Sequence, residues 1–120
     1  MLAELFSSER RFQLWSYVVS HRQLLLRSTK SADFPTRIEI LFTDTSLMLI
    51  ETRFEGLSIQ ELGFDTPDLP IDVSQIPPGH KLFRLRTSGG FGYIAATGCT
   101  ATEDEREYYD GSALISSEHL

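Results

Sequence analysis

The sequence predicts one all-β domain over residues 1–120, an antiparallel sandwich or partly open roll or barrel of about seven or eight strands with a short C-terminal helix. Three observations predict it. Pro35 to Gly63 reads as three consecutive strands separated by polar turns. A hairpin pattern precedes that stretch and another follows it. Between the stretch and the second hairpin, Pro67, Pro70, Pro77 and Pro78 remove backbone donors and exclude a regular helix.

Each element has a local reason. Leu2, Leu5 and Phe6 suggest one short helical turn, broken at Ser7-Ser8. From Phe12 to Val19 the residues favour strand, with Phe12, Leu14, Ser16 and Val18 on one face and Trp15, Tyr17 and Val19 on the other. Ser20 to Gln23 is a compact turn, and Leu24-Leu25-Leu26 begins the returning strand. Ile38, Ile40 and Phe42 alternate with Glu39, Leu41 and Thr43, the period of a half-buried strand. Leu47 to Ile50 is apolar on both faces and reads as a central strand covered on both sides, although periodicity alone does not separate it from a short helix. Leu57 to Gln60 completes an antiparallel meander after Gly56.

Ile71, Val73 and Ile76 lie within the proline-rich 64–80 segment, so it is expected to pack onto the core and not to tether two domains. Lys81–Thr87 and Phe91–Thr97 form the second hairpin around Ser88-Gly89-Gly90. Thr102 followed by Glu103-Asp104-Glu105 fits a capping box opening a helix near 103–109, ended by Asp110-Gly111. Residues 112–120 add a short edge strand through Leu114-Ile115 or fray.

Bulk properties narrow the function. With 41% hydrophobic and 23% charged residues the chain is too apolar for intrinsic disorder. A net charge of −6 argues against a nucleic-acid partner. The charge is uneven, since residues 1–37 hold six basic side chains against three acidic ones. One cysteine, Cys99, cannot form an internal disulfide, and no signal peptide or membrane-spanning run is visible, so a cytoplasmic location is expected.

No chemistry-bearing motif emerges. His21, His80 and His119 lie far apart, with no metal-ligand spacing, and no metal or other cofactor is expected. Cys99 reads as a partly buried small hydrophobe. Ser88-Gly89-Gly90-Phe91-Gly92 lies between strands and lacks a following Gly-Lys-Ser/Thr, so it is a turn and not a phosphate loop. Glu103, Asp104, Glu105 and Glu107 make an acidic cluster, read first as a solvated helical face, with a recognition surface for a basic partner as its one functional reading. Trp15 and Tyr17, opposite Phe12 and Leu14, mark an interface or pocket together with His21 and Arg27.

The run Val19-Ser20-His21-Arg22-Gln23-Leu24-Leu25-Leu26-Arg27-Ser28, followed by Pro35 to Phe42, resembles short uncharacterised bacterial β-rich proteins with a Ser-His turn leading into a Leu-Leu-Leu-Arg-Ser strand. The resemblance covers about the first half of the chain and implies a bacterial origin but no activity. The strand arrangement is also loosely similar to pleckstrin-homology-like rolls, without their long amphipathic C-terminal helix. The expected function is a non-catalytic protein-interaction domain, with homodimerisation and an immunity- or antitoxin-like role among its forms. The alternative is a small-ligand module with a pocket between Trp15, Tyr17, Arg27 and the 64–80 loop.

Overall fold

A computed structural model describes residues 4–115. Eight strands, β1 (Glu4–Val18), β2 (Gln23–Ser28), β3 (Arg37–Thr43), β4 (Leu47–Leu49), β5 (Arg53–Leu62), β6 (Lys81–Thr87), β7 (Gly90–Ala96) and β8 (Gly98–Asp104), form one antiparallel sheet in the order β4-β7-β6-β5-β1-β2-β3-β8. The sheet folds over on itself without closing into a barrel. Among the described residues, no helix is long and apolar enough to cross a membrane.

Strand β1 holds the two halves together by changing partner along its length. It pairs with β5 from Glu4 to Gln13 and with β2 from Gln13 to Val18, so Gln13 lies opposite both Arg53 and Arg27. Two bulges bend it. Glu9 and Arg10 together oppose Gly56, whose φ of 72° suits a residue without a Cβ. Trp15 is the extra residue opposite the Leu26–Leu25 step of β2.

One core draws on both halves, with Phe12, Leu24, Leu26, Ile40 and Phe42 meeting Ile59, Phe83, Leu85 and Ile94. The β3–β4 and β7–β8 corners lie side by side. Thr97 donates its backbone N–H to the Thr43 carbonyl at 2.9 Å, and the two threonine hydroxyls are 3.1 Å apart. The outer face of β5–β7 is covered by the proline-rich segment, with Leu69, Ile71, Val73 and Ile76 on Leu62, Leu82 and Tyr93. Segment 105–115 covers the outer face of β2 and β3, where Leu114 and Ile115 meet Leu25 and Leu41.

Four expectations are corrected. The expected C-terminal helix is absent: residues 98–104 are strand β8, and 105–115 are turns and bends without a helix or a strand. The meander does not exist as such, because β3, β4 and β5 are consecutive in sequence but not adjacent in the sheet. Strand β4 is a three-residue edge strand with Met48 and Leu49 exposed, not a doubly covered centre. Strand replaces the helical turn from Glu4 onward, because β5 offers that segment a ladder.

Segment 105–115 is held by charge buried on the outer face. Arg27, Arg37 and Glu39 are at most 2% exposed. Arg27 donates Nε and Nη2 to Glu39 Oε2 at 3.1 and 2.7 Å, and Nη1 to the Tyr108 carbonyl at 2.9 Å. Arg37 donates to the carbonyls of Glu107, Asp110 and Gly111 and to Asp104 Oδ2. Glu39 Oε1 accepts from Ser112 Oγ and the Ala113 N–H at 3.1 and 2.8 Å. Breaking such a network at one member costs far more than the net worth of the intact network, because the remaining charges stay buried. Glu39→Ala is therefore expected to lose about 3–5 kcal/mol in urea unfolding. Arg27→Met combined with Glu39→Leu should be less destabilising than Glu39→Ala alone.

Candidate functional site

The partner change of β1 leaves a notch where the end of β2 parts from the first half of β1. It is a cleft of about 420 Å³, within the size range of small-molecule sites. Arg10, Arg27 and Ser28 line it from the strands, and Asp33 and Phe34 from the β2–β3 loop. Arg11, Gln13 and Glu55 also line an adjoining hollow of about 270 Å³ that reaches Arg53.

Burial and bonding set what each arginine can do. Arg10 is 7% exposed and donates to Ser28 Oγ at 3.1 Å, Thr36 Oγ1 at 3.0 Å and the Thr36 carbonyl at 2.5 Å. Its guanidinium lies 4.4 Å from the centre of the Phe34 ring. Burial lowers the Arg10 pKa, opposed by Glu103 at 4.0 Å. Among the described residues, Arg27, 2% exposed, bonds through three of the five N–H donors a guanidinium carries. Arg11 and Glu55 form an exposed pair at 2.8 Å, which supplies little binding energy. Acidic Glu9, Asp33 and Glu55 partly offset the four arginines across the two hollows.

Of the residues singled out from sequence, the fold brings Trp15 and Arg27 together. The Arg27 guanidinium lies 4.4 Å from the Trp15 ring centre. Tyr17 does not share their face, because the Trp15 bulge shifts the alternation and sets Tyr17 opposite inward-facing Leu24. His21 lies in the exposed β1–β2 turn. The 64–80 loop lines neither hollow, lying instead on the outer face of β5–β7.

The acidic cluster is largely neutralised from within. Asp104 bonds Arg37 at 3.1 Å, and Glu107 meets Lys30 at 3.0 Å. Glu103 accepts from the Thr36 hydroxyl and faces Arg10, while Glu105 is exposed. Burial works to raise the Asp104 pKa, but the Arg106 N–H and the Arg37 guanidinium outweigh it and hold the carboxyl below its ordinary value.

Two features carried no sequence signal. Strand β8 is an open edge over its seven residues, pairing with β3 on one side. No hydrogen bond among the described residues reaches its backbone from the other side. The other feature is His80, 9% exposed, which lies between Ser46 and Asp44. Among the described residues, no group of three or more His, Cys, Asp or Glu side chains could hold a metal ion, and His119 lies outside them.

Cys99 packs against the main core beside Phe42, and burial pushes its thiol up to about 12. The thiolate is the reactive form, so a thiol raised this far stays protonated and inert at neutral pH. A maleimide at pH 7.5 is expected to label folded protein far more slowly than urea-unfolded protein. Equal rates would show an accessible, ordinary thiol. Comparison with protein-family models, curated proteins and solved structures finds no match to this chain, so its own side chains and edges are the guide to what it binds.

Proposed function

We propose that the chain is a protein-interaction domain whose contact element is β8 and whose partner is a second copy. The observation that carries this reading is the seven-residue edge of β8, which among the described residues pairs with β3 alone. Natural edge strands are blunted by shortness, proline, lysine or a bulge, and an unblunted one is a template for another strand. Strand β4, at the opposite edge, has three residues, whereas β8 is longer and has neither proline nor lysine.

The side chains of β8 favour self-pairing. An antiparallel two-fold alignment centred on Ala101 sets Thr100 opposite Thr102, Cys99 opposite Glu103 and Gly98 opposite Asp104. No like charges then face each other directly, whereas centring the pair on Glu103 would oppose two carboxylates. The internal neutralisation of Asp104 and Glu107 weakens the case for a basic partner.

Sedimentation equilibrium at two concentrations tests the reading. Wild-type protein is expected to dimerise, and Ala101→Pro to be monomeric with an unchanged β-sheet spectrum. A wild-type chain that stays monomeric at the higher concentration would sink it. Strand pairing should also survive added salt, which weakens association driven by exposed charge.

A second reading, a small-ligand module, is favoured by the four arginines that line the 420 Å³ cleft and its adjoining hollow. Its ligand would carry a carboxylate or phosphate, the groups a guanidinium fork matches. Inorganic phosphate and citrate are each expected to raise the unfolding midpoint, and Arg53→Ala to reduce the rise. An unchanged midpoint with both anions would remove this reading.

A further inference from the structure

We propose that Ser46 is an activated nucleophile, a site at which the chain accepts an acyl or phosphonyl group from an activated ester. This goes beyond the contact function above and does not rest on it.

The arrangement joins two distant stretches of chain. Asp44 and Ser46 lie on the β3–β4 corner, while His80 ends the proline-rich segment just before β6. Ser46 Oγ is 2.9 Å from His80 Nδ1, and Asp44 Oδ2 is 3.3 Å from His80 Nε2. The other Oδ of Asp44 is 2.5 Å from Arg22 Nη2. In the tautomer with its proton on Nε2, the nitrogen facing the carboxylate, His80 presents the Nδ1 lone pair to the serine. The hydroxyl therefore donates to Nδ1, the relation of a nucleophile to its base, with Asp44 orienting that base. The other acceptor for the hydroxyl, the Ala95 carbonyl, is longer at 3.4 Å.

Two further observations fit a worked site. Ser46 is an exposed residue while His80 is 9% exposed, so the serine lies at the surface while its base is held away from bulk water. Arg22 and Asp44 both adopt left-handed backbone, with φ of 49° and 46°. Such conformations cost non-glycine residues on the order of 1–3 kcal/mol and cluster at functional sites. Here they are secured by the Arg22–Asp44 pair and by the Thr45 N–H, which donates to the Arg22 carbonyl at 2.7 Å.

The same geometry selects the substrate class. The backbone N–H groups of Thr45 and Ser46 are already committed, to the carbonyls of Arg22 and Ala95. The corner therefore offers neither donor to a developing oxyanion, which amide cleavage demands most. An ester with a good leaving group needs less such help. Ser46 Oγ attacks the carbonyl carbon, its proton passes to His80 Nδ1, the bond to the leaving oxygen breaks, and the imidazolium returns the proton to the departing alkoxide or phenoxide. Water attacking the acyl-serine, with the proton passing again through His80, releases the acid and restores Ser46.

A fluorophosphonate probe on the full-length protein tests this, with fluoride as the leaving group. One adduct is expected, on the peptide containing Ser46. Ser46→Ala should show no adduct. His80→Gln should slow labelling by at least about 100-fold, the lower end of what a positioned base contributes. If His80→Gln perturbs the corner, Asp44→Asn, which keeps both Ser46 and His80, should still slow the reaction and alter its pH profile. A purely structural clamp predicts a different pattern: no adduct with excess probe, an adduct elsewhere, or equal rates and a flat pH profile with and without His80. Any of those results overturns the proposal.

Discussion

The constraint on which the structure depends is that one strand serves two half-sheets. β1 cannot stay straight while pairing with β5 along its first part and β2 along its last. It bends at bulges, each of which places one extra side chain. The Gly56 bulge accompanies Arg10 reaching across to Ser28 and Thr36, and the bulge facing β2 accompanies Trp15 lying against Arg27. The cleft is thus a consequence of topology, since two half-sheets diverging from a common strand leave a notch at the divergence.

The outer faces use contrasting means of cover. On the β5–β7 side the proline-rich segment supplies Leu69, Ile71, Val73 and Ile76, ordinary apolar burial. On the β2–β3 side two arginines and a glutamate bind mainly backbone groups of segment 105–115, a segment with no ladder of its own. A buried ionic network is a weak source of net stability. Its physical effect here is selectivity, because backbone carbonyls must converge on Arg27 and Arg37 while a hydroxyl and an N–H reach Glu39.

Much of the fold was legible in the sequence, and the failures have physical causes. Alternation in Ile38 to Thr43 and Lys81 to Thr87 and the glycine turn at 88–90 identified strands and a hairpin, because these signals are local. Sheet order was not legible. Corners at Thr43 and Thr97 carry the chain from one half-sheet to the other, and periodicity cannot say where a strand goes after a turn. The acidic run after Thr102 suited a helix N-terminus, yet β3 offered residues 98–104 a seven-residue ladder and tertiary pairing won. The sites were less legible still. Arg27 and Trp15 were singled out and do meet, but Tyr17 was misassigned because one inserted residue inverts every side chain beyond it. Ser46, Asp44 and His80 come together only through the fold, the serine and its base lying 34 positions apart in sequence.

The shared strand also bears on how the molecule is made. Its second half can pair with β2 once Ser28 has emerged from the ribosome, but its first half lacks its partner until β5 is complete at Leu62. During that interval Leu5 and Phe6 lie on a ribbon that still lacks its partner. A pause in translation before Leu62 would lengthen that exposure, so codon usage across the β3–β5 region would bear on the yield of folded protein as well as on its rate of synthesis.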